Sequence, residues 1–176
     1  MSPAMLEQEL FSLLKQGKRS LGVQSKKFTG ALVIEILRYA FEKNGIETSR
    51  PNVYIKGVTS EVDLVIPRNG ASPEFKILYS HRDVLAVLEI KTSGLFSKDD
   101  CPRIAKVFRN VKSVNPSIFC AYLTMSERHS YKYKATEEEL GFPVYTLAWH
   151  HGPDNDRKYD ITGDFSKLVS KLASIR

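Results

Sequence analysis

Between Val84 and Ile90 the chain runs almost without interruption through apolar residues, and the charges that break in, Glu89 and Lys91, stand two positions apart. A run this short and this apolar is that of a strand covered on both faces. Alternate strand residues share a face, so Glu89 and Lys91 point the same way. Burying an unpaired charge costs several kcal/mol or more, roughly, so such side chains need a partner, a metal or a cleft. A second apolar stretch, Glu61 to Ile66, is interrupted in the same manner by Glu61 and Asp63. If the two strands are neighbours, Asp63 and Glu89 converge at one end of a sheet.

Two carboxylates brought together repel, which raises a pKa or recruits a divalent cation. Oxygen ligands without histidine or cysteine suit Mg²⁺, with Mn²⁺ as a substitute, rather than zinc. Such an ion polarises a phosphodiester and lowers the pKa of its bound water. A neighbouring lysine orients that water and stabilises charge developing on the phosphate. The competing interpretation is a surface salt bridge, the ordinary role of an isolated E-x-K on a strand. The apolar flanks and the matching E-x-D strand favour a phosphodiesterase site.

The rest of the chain supplies a scaffold. Residues 3–16 read as an amphipathic helix, and a second runs from about Thr29 to Asn44, closed by Gly45. Strands are expected at Val53 to Lys56, Glu61 to Ile66, Phe75 to Tyr79 and Val84 to Ile90. A helix capped by Asp99 or Asp100 follows, with Pro102 in its first turn. Further strands at Ile118 to Met125 and Val144 to Trp149 precede a last helix at 164–175. The stretch from Pro67 to Asp83 is longer than a tight hairpin and has no assigned role.

With 176 residues, 42% of them hydrophobic, one domain over residues 1–176 can bury a sizeable core. No uninterrupted apolar span reaches membrane length, so no membrane partner is expected. Two cysteines, Cys101 and Cys120, make no disulfide framework, and both read as core residues. The first residues lack a signal peptide's basic-then-apolar order, and a cytoplasmic, intracellular setting is expected. A net charge of +6 and a pI near 9.3 favour an anionic partner. No G-x-S-x-G elbow, phosphate-binding G-x-x-x-x-G-K-[ST] loop or histidine cluster at metal spacing occurs, which argues against serine hydrolase, ATPase and zinc chemistry.

Asp63, followed after a loop by Glu89-Ile90-Lys91, resembles the signature of the PD-(D/E)XK nuclease superfamily, and the order helix, three strands, helix, strand is similar to its core. The resemblance covers roughly residues 29–149. It implies an α/β, restriction endonuclease-like fold, a central mixed β-sheet flanked by α-helices, with the N- and C-terminal helices as additions. It also implies a nuclease in which Asp63 and Glu89 ligand Mg²⁺, the Ile90 carbonyl assists and Lys91 serves the attacking water. Many members carry a glutamate on the preceding helix, and Glu35 matches it, as a catalytic or metal-binding residue. An i,i+3 ion pair with Arg38 explains Glu35 equally well. Val62 stands where the family name has proline, a position that varies widely.

The expected substrate is nucleic acid, DNA by preference, cut by an endonuclease-type hydrolase. Ser93 shares the face of Glu89 and Lys91, while Arg103, Lys106 and Arg109 recur every three residues on the following helix, a row able to track phosphates. An ordinary solvated helix face gives the same row. Arg128 to Lys134 interleaves aromatic and basic side chains, fitting either base stacking or a loop edge. Cutting both strands of a duplex often involves two sites, so a homodimer is compatible although no residue specifies one. The rival functions are a non-catalytic nucleic-acid-binding module and a partner-binding module that keep the nuclease fold.

Overall fold

The structure is a computed structural model describing residues 3–23, 25–95, 97–153 and 158–176. Two long helices come first, α1 (Pro3–Leu21) and α2 (Lys26–Lys43). Helix α2 starts three residues earlier than the apolar periodicity suggests, because Ser25 caps it: its hydroxyl accepts from the Phe28 N–H at 3.2 Å. Ser25→Ala removes that acceptor and is expected to cost about 1 kcal/mol. Thermal denaturation should show a midpoint lowered by roughly 2–4 °C. Gly45, with φ 71°, takes the left-handed turn that ends the helix.

The strands β1 (Tyr54–Ile55), β2 (Leu64–Pro67), β3 (Leu78–Tyr79) and β4 (Val84–Ser93) lead into helix α3 (Asp100–Val114). Strand β5 (Phe119–Ser126), the short helix α4 (Glu137–Leu140), and strands β6 (Val144–Thr146), β7 (Ala148–His151) and β8 (Lys158–Ile161) precede helix α5 (Asp164–Ser174). The main sheet has the order β2-β4-β5-β6. Strand β2 is antiparallel to β4, and β4, β5 and β6 run parallel. This is the expected mixed sheet.

The two sides of β4 meet different layers. Ala86, Leu88 and Ile90 join a core built with α1, α2 and α5, whereas Val87 faces a second core that includes Ile104, Phe108 and Val111 of α3. Residues of the terminal helices, Leu10, Leu14, Phe165 and Leu168, are buried in the first of these, so both helices belong to the packed body. The Phe41 and Phe165 rings lie 5.3 Å apart across it.

Several segments differ from the sequence reading: α1 continues through Gly17 to Leu21 instead of ending at residue 16, and β2 begins at Leu64, just after Asp63. The apolar stretch from Val144 to Trp149 is two strands, not one. Its break is fixed at Thr146-Leu147, whose carbonyls accept from the Thr162 hydroxyl while the Leu147 N–H donates to Thr124 at 3.0 Å. Beyond it β7 leaves the main sheet and pairs with β8, a four-residue strand whose polar–apolar alternation, Lys158-Tyr159-Asp160-Ile161, the sequence reading passed over. The stretch after Pro67 carries β3, paired with β1, and a 3₁₀ turn at His81–Asp83.

Candidate active site

The antiparallel register pairs Leu64 with Leu88, and one step further sets Asp63 opposite Glu89. Both then lie on the sheet face covered by α3, beyond Val65 and Val87. Each carboxyl is held by the other strand. The Ile90 N–H donates to Asp63 Oδ2 at 2.7 Å, and the Asp63 N–H donates to the Glu89 carboxyl. The two carboxyls lie close enough for each charge to act on the other. Asp63 and Glu89, predicted from two separate stretches, therefore form one pair.

Glu89 is only 8% exposed. Burial, and then the neighbouring Asp63 charge, push its carboxyl well above the usual range, while Lys91 and Arg103 pull it back. Burial likewise raises Asp63, offset by the Ile90 N–H and the Lys91 charge. With its short backbone hydrogen bond, Asp63 is the better-stabilised anion of the two. Lys91, half-buried, registers with Thr124 on β5, and Ser93 with Ser126, so hydroxyls line the sheet beside the charged group.

Glu35 is not drawn in. It lies on the exposed side of α2, ion-paired to Arg38 at 2.7 Å, and α2 packs against the opposite face of the sheet. The charges acting on Asp63 and Glu89 come from each other and from Lys91, Glu61 and Arg103. Glu61 is exposed and accepts from the Tyr54 hydroxyl at 3.1 Å. On α3, Arg103, Lys106 and Arg109 are exposed as the spacing predicts. Arg103 also donates to Asp100 at 2.7 Å, which anchors the first turn.

One buried acid escaped the sequence reading. Glu127 follows β5 directly and is 2% exposed, with Oε2 lacking a hydrogen-bond partner among the described residues. Burial pushes its carboxyl up to about 7, moderated by Lys134. Its signal was the same as that of Glu89, an acid closing an apolar run.

Among the described residues no cluster of three histidine, cysteine or carboxylate side chains forms a ready metal cage. Mg²⁺ does not need one, since it commonly binds through one or two carboxylates and keeps several waters. Two neighbouring carboxyls that offer only oxygen fit a hard cation.

No protein-family model matches the chain, and no curated protein matches it by sequence. Solved structures do. NucC of P. aeruginosa ATCC27853 in its cAAA-bound form is similar with a TM-score of 0.67 at 10% identity, over 98% of this chain and 90% of that one. NucC of E. coli MS115-1 gives 0.66 at 12% in its cAAA-bound form, over 98% and 89%. Its apo form gives 0.57 at 14%, over 96% and 92%. At such identity the likeness speaks for the backbone, not for the chemistry. The chain shares the fold of these NucC structures, the mixed α/β, restriction endonuclease-like arrangement of a central sheet flanked by helices that the sequence predicts.

Proposed function

We propose that the chain is a metal-dependent nuclease that hydrolyses phosphodiester bonds, with DNA as substrate and Asp63, Glu89 and Lys91 as its working centre. The observation that carries this reading is the meeting of a buried carboxyl, Glu89, and a half-buried one, Asp63, beside one ammonium at the end of a sheet. Such a pair is a net cost to a fold unless something binds it, and perturbed carboxyls of this kind concentrate at functional sites. The likeness in fold to the NucC structures supports it.

Asp63 and Glu89 would hold Mg²⁺, or Mn²⁺ in its place, with the Ile90 carbonyl as a further oxygen donor. When bound, the ion polarises the phosphate and acidifies its water. The two backbone hydrogen bonds fix both carboxyls in advance, so little reorganisation accompanies the reaction. Lys91 orients the attacking water and stabilises charge on the phosphate oxygens. Arg103, Lys106 and Arg109 would hold the nucleic-acid backbone, with Ser93 offering a hydroxyl at the strand end. Glu35 is left to its ion pair with Arg38.

The test is an assay over duplex, single-stranded and branched DNA and over RNA, with Mg²⁺, Mn²⁺ or EDTA, alongside calorimetric titration of each ion. Cleavage should require the metal, and the titration should show ion uptake that disappears in Glu89→Gln. Nucleic-acid binding without ion uptake or cutting would instead identify a non-catalytic binding module.

A further inference from the structure

Four residues past Lys91 the chain enters the wall of a cleft of about 340 Å³ that the reading above leaves unused. Its walls are the turn after β4 (Leu95, Ser97, Lys98), the first turn of α3 (Cys101, Pro102) and the returning segment Lys132, Tyr133 and Lys134, with Glu139 at the rim. That volume falls within the range of small-molecule sites, roughly 300–1,000 Å³. Three lysines face one carboxylate. Lys98 and Lys132 are exposed, and neither forms an ion pair with a described residue. Lys134 donates to the His129 carbonyl and balances buried Glu127.

The basic segment is held, not loose. Gly94 has φ 38°, and a Cβ there would stand 2.7 Å from the Tyr131 ring, so the ring seats directly on the end of β4. The Tyr131 hydroxyl is 3.1 Å from His150 Nε2, which ties the same residue to β7. Lys132 sits 5.2 Å above the Tyr133 ring, which itself packs on the α3-side core. Lysines fixed in this way hold a phosphate at lower entropic cost than lysines on a free loop.

Distance then limits what can reach both places. Lys91 and Leu95 are four residues apart, so their Cα atoms are at most about 14 Å from each other. At roughly 3.4 Å per nucleotide along one strand, a chain seated at Lys91 enters the cleft within about four nucleotides.

We propose that this cleft binds the phosphodiester backbone of the strand that flanks the cleavage position, with Lys98 and Lys132 contacting phosphate oxygens and Leu95 and Tyr133 forming an apolar floor for the sugars. The proposal rests on the nuclease reading and supplies its substrate track. Exposed lysines of this kind contribute affinity without sequence preference.

Binding of labelled single-stranded DNA, duplex DNA and RNA oligonucleotides, followed by anisotropy in EDTA over a salt series, separates the two ideas. The doubly substituted Lys98→Gln/Lys132→Gln protein should bind about tenfold or more weakly at about 0.1 M salt. Its log–log salt slope should be shallower by roughly 1.4–1.8, two contacts' worth. Glu139→Lys should bind more tightly than the parent chain. Lys15→Gln/Lys43→Gln, which removes the same charge from α1 and α2, should change the slope little. Wild-type affinity and slope in the Lys98/Lys132 variant, or an equal loss in the α1/α2 control, overturns the cleft and leaves the nuclease reading standing. A parent protein that binds none of the three oligonucleotides removes both. Whichever oligonucleotide shows the largest loss identifies the strand type that the cleft takes.

Discussion

Lys91→Ala should yield a folded protein that still binds nucleic acid and no longer cuts it. Lys91 is half-buried at the far end of β4, and its removal opens no void in either apolar core. Its ammonium is nevertheless the favourable charge beside both Asp63 and Glu89. Losing one electrostatic group of this type typically slows catalysis by about 10²–10³. Asp63→Asn and Glu89→Gln should be at least as severe, on the order of 10³, because each removes a charged oxygen that the metal requires. Asn at position 63 can still accept from the Ile90 N–H, so the strand pair is preserved. Initial rates at saturating metal and substrate, with circular dichroism to verify the fold, decide the matter. Undiminished cleavage by any one folded, pure variant withdraws that residue from the mechanism.

The second large effect runs in the opposite direction: Glu89→Gln should make the metal-free protein more stable at neutral pH. Burial and the Asp63 charge raise the folded-state pKa of Glu89 above its value in the unfolded chain. Below the unfolded pKa, about 4.3, both states are protonated and no penalty exists. As pH rises past that value the unfolded chain releases its proton while the folded one retains it, so stability declines until the folded pKa is passed. Glutamine keeps an acceptor for the Asp63 N–H and never has to ionise. The expected gain at pH 7–8 in EDTA is on the order of 2 kcal/mol, or roughly 5 °C in the melting midpoint. The gain should vanish below about pH 4. Added Mg²⁺ should raise the midpoint of the parent chain and leave the variant nearly unmoved, since ligand binding stabilises only the state that holds the ligand. Melting curves over pH 4–8 with and without Mg²⁺ measure this, and a variant less stable than its parent at pH 8 would show that Glu89 is a structural acid.

Much of the candidate site was legible beforehand because it is written in strand periodicity. Glu89 and Lys91 two apart in an apolar run, and Asp63 in a second one, needed only the alternation of side chains to be assigned a shared face. The exposed cations of α3 followed from helical spacing in the same way. Glu35 was legible only as two alternatives, because the side of the sheet on which α2 packs is not a local property. The ion pair with Arg38 is what the packing left it. Glu127 carried the same mark as Glu89, but its burial depends on Gly94, Tyr131 and the turn toward β7, which come from three separate stretches.

By itself the sequence determined which residues are apolar at which period, and hence the main helices, the strands β2, β4 and β5, and the face on which the charges stand. Only the tertiary structure decided that the Asp63 carboxyl accepts from the Ile90 N–H and the Glu89 carboxyl from the Asp63 N–H, that the chain breaks at Leu147 to leave the main sheet, and that the terminal helices fill its core. The physical reason is range. Periodicity acts between residues a few positions apart, whereas burial and pairing are set by neighbours that the sequence places tens of residues away.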